Sequence, residues 1–135
     1  NDPDEYVRAA AAFSARFFVR GPLVAALADV AANDDSIIVR EAVAHACQFL
    51  GPGPCETLVR KGIRFDRSEH VRQSFAYTVG TWLHDAPTMV TILEEALAAE
   101  KSPKVSETLL NYMHPGRVAY PFRQVSGAPA GGQAP

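Results

Sequence analysis

The sequence predicts an all-α fold of stacked helix pairs, on three observations. A pattern of Asp, then Val-Arg, then a small residue recurs every 32 residues: Asp2, Val7, Arg8, Ala12; Asp34, Val39, Arg40, Ala44; Asp66, Val71, Arg72, Ala76. A fixed period of this size marks a repeat architecture in which each unit buries its apolar face against the next. Apolar and small residues follow each valine at helical spacing, and Gly-Pro steps break the chain between helices.

The first helix of each unit carries its core stripe at offsets 0, 3, 4, 7, 8 and 11 from the valine. These stripes are Val7, Ala10, Ala11, Ser14, Ala15, Phe18; then Val39, Ala42, Val43, Ala46, Cys47, Leu50; then Val71, Ser74, Phe75, Thr78, Val79, Trp82. An Asp ahead of each helix suits a backbone cap, and an Arg at one register in every unit suits an ion pair with the neighbouring unit's Asp. Gly21-Pro22 and Gly51-Pro52-Gly53-Pro54 are turns, followed by second helices over about Pro22 to Ala32, Pro54 to Phe65 and Pro87 to Lys101. Their apolar positions include Leu23, Leu27, Val30; Leu58, Val59; and Val90, Leu93, Leu97.

A fourth unit follows a two-residue insertion, since Glu100 and Val105 lie 34 beyond Asp66 and Val71, and Ser106 replaces the arginine. Its helix uses Val105, Thr108, Leu109, Tyr112 and Met113 and ends at His114-Pro115-Gly116. A degenerate last unit is what a capping element looks like. The organisation read from sequence is thus a repeat domain over 1–114 and a Pro/Gly/Ala-rich tail over 115–135.

At 135 residues the chain holds one domain, which excludes separate cofactor and substrate lobes. With 47% hydrophobic residues it can bury a core, and a net charge of -2 argues against a dedicated polyanion binder. Two cysteines are too few for a disulfide scaffold, so a cytoplasmic setting is expected. No apolar run reaches the roughly 18 residues of a membrane span. The first unit has no polar cap ahead of it, so Phe13 and Phe17 are expected at an open apolar end, met by further repeats or by another chain, including a second copy.

Arg60, Lys61, Arg64 and Arg67 form a basic cluster, the first three on one helical face, and Glu94 and Glu95 occupy the corresponding helix of the next unit. Such a bipolar strip suits a charged peptide or protein surface, whereas the two glutamates repel a nucleic-acid backbone; the alternative is an ordinary solvated face. At offset 6, Phe13, His45 and Tyr77 form a column suited to packing between units or, alternatively, to a partner. His45, His70, His84 and His114 lack metal-ligand spacing, Cys47 falls in a core stripe, and Cys55 has no His and carboxylate placed beside it. No catalytic residue, metal or cofactor is therefore expected.

The Asp, Val-Arg, small-residue pattern over Asp2 to Met113 resembles short HEAT-like repeat proteins, the class that includes the phycobilisome-lyase type. The resemblance implies a right-handed α-solenoid of about three helix pairs plus a degenerate terminal half-repeat, with first helices convex and second helices concave. On that orientation Arg60, Lys61, Arg64, Arg67, Glu94 and Glu95 share the concave face. The function it implies is a non-enzymatic adaptor or scaffold for a partner protein or peptide. Two other classes stay open: a nucleic-acid binder similar to the HEAT-like alkylpurine DNA glycosylases, whose aromatic and carboxylate pocket residues Trp82 and Asp85 resemble, and a bilin lyase-like or chaperone-like factor for a cofactor protein.

Overall fold

Every regular element in the computed structural model is helical among the residues it describes, 3–17 and 21–115. The expectations for Asp2, Phe18 and the tail from residue 116 onward fall outside those residues. In order, the elements are α1 (Glu5–Ser14), a 3-10 turn (Ala15–Phe17), α2 (Gly21–Asn33), α3 (Ile37–Leu50), α4 (Pro52–Phe65), α5 (Glu69–Trp82), a 3-10 turn (Pro87–Met89), α6 (Val90–Ala99) and α7 (Pro103–Met113). Contacts run in two series: α1 packs on α3, α3 on α5 and α5 on α7, while α2 packs on α4 and α4 on α6. The two series are joined where α4 lies on α5 and α6 on α7.

The expected arginine pairing is present at all three positions. Arg8 reaches Asp34 with Nε to Oδ2 at 2.8 Å and Nη2 to Oδ1 at 3.1 Å. Arg40 repeats the fork on Asp66 at 2.8 and 3.2 Å, and Arg72 holds Glu100 through Nε at 2.9 Å. Each remaining Nη1 donates to a carbonyl ahead of its own helix: Pro3, Asp34 and Asp66 respectively. The rigid guanidinium fork can bind an acid and a carbonyl at once, which a lysine cannot do with the same geometry. Glu100 lies two residues further along than strict periodicity requires, and its longer side chain still closes the third pair.

The helix caps differ from the sequence expectation. Ser36, Ser68 and Ser102 are the caps of α3, α5 and α7, accepting the backbone N–H of Val39, Val71 and Val105. Asp34 and Asp66 instead accept from the N–H of Ser36 and Ser68, two residues on, which shapes the turn into each helix. Only at α1 does an aspartate cap directly, with Asp4 accepting from the Tyr6 N–H. The serine recurs because a small hydroxyl satisfies the first-turn donors and leaves the aspartate free for the arginine.

The stripes of α3 and α5 form the core. Val39, Val43, Cys47, Val71, Phe75 and Val79 are fully buried, and Thr78 is buried with its hydroxyl donating to the Ala44 carbonyl at 2.7 Å. The first stripe behaves differently: Val7 is 49% exposed and Ala10, Ala11 and Ser14 are exposed, because α2 stands off from α1 and leaves that side only partly covered. A shallow apolar groove of about 360 Å³ lies there between α1 and α2, with Val7, Ala11, Leu23 and Leu27 in its walls.

Two glycines set the geometry of α4. Gly51 ends α3 at φ +89°, a conformation glycine adopts without steric cost, and Pro52 then starts α4 two residues earlier than Pro54. Gly62 lets α4 lie against α5, since a Cβ there would sit 2.3 Å from the Phe75 ring.

Truncating Phe75 to Ala is expected to cost about 3–5 kcal/mol in denaturant unfolding; an unchanged midpoint would contradict the packing of α5 on α4. The Asp34 carboxyl is held below its usual range chiefly by the hydrogen bond from Arg8, with burial opposing. Its folded pKa is depressed, so the pair's contribution is complete above the unfolded value and is lost as pH falls through the folded one. Asp34→Asn is therefore expected to be less stable than wild type at neutral pH, with the gap closing below about pH 4. A gap independent of pH would contradict the pairing.

Candidate functional site

Helix α4 turns Cys55, Leu58, Val59 and Ile63 inward, and this spacing leaves its opposite face to Glu56, Arg60, Lys61 and Arg64. The structure divides the six residues expected to form a strip. Arg60 is paired on two sides, with Glu56 one turn back on its own helix at 3.0 Å and with Glu95 of α6. The hydrogen bond to Glu95, then that to Glu56, raises the Arg60 pKa further above neutrality. All three side chains are at least 30% exposed, so this network adds little to stability and serves mainly to hold Arg60 in place.

The other cations are not used in this way. Among the described residues no carboxylate lies within ion-pair distance of Lys61 or Arg64, and the Arg64 guanidinium sits 4.9 Å from the Phe65 ring centroid. Arg67 donates to the Asp34 carbonyl at 3.1 Å and lies 3.5 Å from the fully exposed Asp35 carboxylate. Glu94 is exposed on α6, on the other flank of α4 from α2.

Between α2 and α4 runs a groove of about 460 Å³. Ala28, Ala31 and Ala32 from α2, with Leu58 and Gly62 from α4, make its floor, while Lys61, Phe65 and Arg67 stand on its rim. The groove exists because α2 presents alanines where the two helices meet. Phe65, at 67% exposure, is among the most exposed large apolar side chains described. Sequence reasoning placed Phe65 only as a helix end, yet its position between Arg64 and Arg67 was the available signal.

The column Phe13, His45 and Tyr77 lines a second, more open concavity of about 980 Å³ on the α1, α3 and α5 series. Phe13 packs edge-on against Phe49 at 6.0 Å and Tyr77 against Tyr112 at 6.3 Å, so the column contributes both to packing between helices and to surface. Arg16 stacks over Phe13 and Phe17 at 3.8 and 4.0 Å, and Glu41 accepts from Ser74 and contacts His70 at 2.9 Å. Phe49 was missed from the sequence although it lies one period after Phe17.

Chemistry-bearing side chains elsewhere are dispersed. Among the described residues no group of three or more His, Cys, Asp and Glu could hold a metal ion. Cys47 and Cys55 are free, buried thiols, and the hydrogen bond between them, with burial second, pushes the Cys47 thiol up, away from the thiolate form. Trp82 is buried with its indole N–H directed to the Gln48 carbonyl, whereas Asp85 is on the surface beside His84. No helix among the described residues is long and apolar enough to cross a membrane. No protein-family model matches the chain, and neither curated proteins nor solved structures give a match.

Proposed function

We propose that the chain is a non-enzymatic interaction module that binds a partner protein or peptide on the face formed by α2, α4 and α6. In this reading the helices form a right-handed, HEAT-like α-solenoid of about three pairs plus a degenerate terminal half-repeat, and that face is its concave side. Support for the architecture comes from the 32-residue period and from the three arginine pairs, each linking one unit to the acid of the next.

The observation that carries the function is the groove between α2 and α4, where an apolar floor meets Lys61, Arg67 and the exposed Phe65, with Arg64 beside that ring but outside the groove lining. Monomeric proteins seldom leave a large aromatic ring and adjacent cations exposed beside an apolar trough, and such combinations mark binding surfaces. Arg60, Glu94 and Glu95 belong to the same face, with Arg60 oriented by its pair with Glu95 across α4 and α6 and Glu94 at the margin.

The test is affinity capture from a nuclease-treated cell extract with the wild-type chain beside a Lys61→Glu, Arg64→Glu, Arg67→Glu variant, identifying retained proteins by mass spectrometry. All three positions are exposed, so the variant is expected to keep its helical signal and melting temperature within a few degrees. A discrete partner lost only from the variant is the expected result. Equal retention would contradict the site and shift attention to the groove around Phe49 and Tyr77. Retention of nucleic acid in place of protein would contradict the function.

A further inference from the structure

We infer that the occupant of the groove between α2 and α4 is an acidic peptide segment carrying a bulky apolar side chain, supplied by another protein. This deepens the proposed function and rests on it. The argument follows the charges around the groove one by one. Asp66, in the groove wall, is committed to Arg40, and Asp34 to Arg8. Glu95 and Glu56 are committed to Arg60. Asp29 on α2 accepts from the neutral Asn33 amide and keeps its charge, but it is exposed and outside the groove lining, and Asp35 meets only Arg67, at the outer limit of an ion pair. Against these stand Lys61 on the rim, which has no carboxylate partner among the described residues, and Arg67 on the rim, which is only weakly matched; Arg64, outside the groove lining, also has no carboxylate partner among the described residues.

The unmatched charge at the rim is therefore positive, and the complementary partner is negative. The floor adds a second requirement. Alanines, Leu58 and the Gly62 backbone leave an apolar floor, which gains from burying an apolar group. Phe65 beside Arg64 offers a ring face to that anchor and a cation to the acid next to it. The chain's own residues 116–135 contain Arg117 and Arg123 but no Asp or Glu, so they do not supply the complementary charge.

The test is a display selection of random 12-residue peptides on the whole chain, run in parallel on the Lys61→Glu, Arg64→Glu, Arg67→Glu variant and on Phe65→Ala. Enriched peptides are expected to be net negative with at least one Leu, Ile, Phe or Trp, to be lost from the triple variant, and to bind Phe65→Ala about tenfold more weakly. Affinity of a selected peptide is expected to fall several-fold between low salt and 0.5 M salt. Neutral or basic peptides that are lost from the triple variant would overturn the acidic occupant while leaving the interaction site standing. Enrichment that is the same on all three proteins, or no enrichment at all, would overturn both. A dimer of the chain that dissociates in the triple variant would place a second copy in the groove and overturn the inference of a separate partner.

Discussion

The buried rung between Arg40 and Asp66 is the interaction on which the rest of the structure depends. Arg40 is 1% exposed and Asp66 4%, so both charges have left water, a transfer that costs several kcal/mol per ion. The cost is offset because every strong group finds a partner: Arg40 binds both carboxylate oxygens and the carbonyls of Asp34 and Asp35, and Asp66 also takes the Ser68 N–H. One side chain thereby fastens the start of α3 to the turn between α4 and α5. That turn also carries Arg67, which reaches back to the Asp34 carbonyl and stands on the groove rim. The scaffold and the candidate site share this joint.

The surface of α4 away from the core carries spare positive charge at Lys61 and Arg64. Each unit spends its acid on the preceding unit's arginine, and Glu56 and Glu95 are spent on Arg60. What stays unmatched on α4 is cationic, and it borders a trough shaped by the small residues of α2 and by the close approach of α4 to Phe75 at Gly62. Helix packing thus leaves both the apolar floor and the charged rim.

Much of the scaffold was legible in the sequence because a repeat displays its own constraints several times over. Arg8, Arg40 and Arg72 recur at one register because one geometry is used three times, and the stripes of α3 and α5 follow from helical spacing alone. The serine caps are equally periodic at Ser36, Ser68 and Ser102, but Asp34 and Asp66 two residues earlier are residue types that cap equally well, so sequence does not separate the two. The start of α4 is ambiguous in sequence because Pro52 and Pro54 both suit a first helical turn, and the positive φ of Gly51 decides for Pro52. The site was less legible. Arg60, Lys61 and Arg64 look alike on a helical wheel, and only the position of α6 shows that Arg60 is taken by Glu95, 35 residues away. The groove likewise depends on how α2 lies against α4, which local periodicity does not encode.

The central claim, that the arginine rung joins the units as a coupled pair, is tested most directly by a double-mutant cycle on Arg40 and Asp66. Denaturant unfolding would compare Arg40→Met, Asp66→Asn and the double variant with wild type. Each single change strands a buried charge or its partner and is expected to cost about 3–5 kcal/mol, while the double variant should cost clearly less than the sum. Additive costs would show that the two residues act independently and would contradict the account.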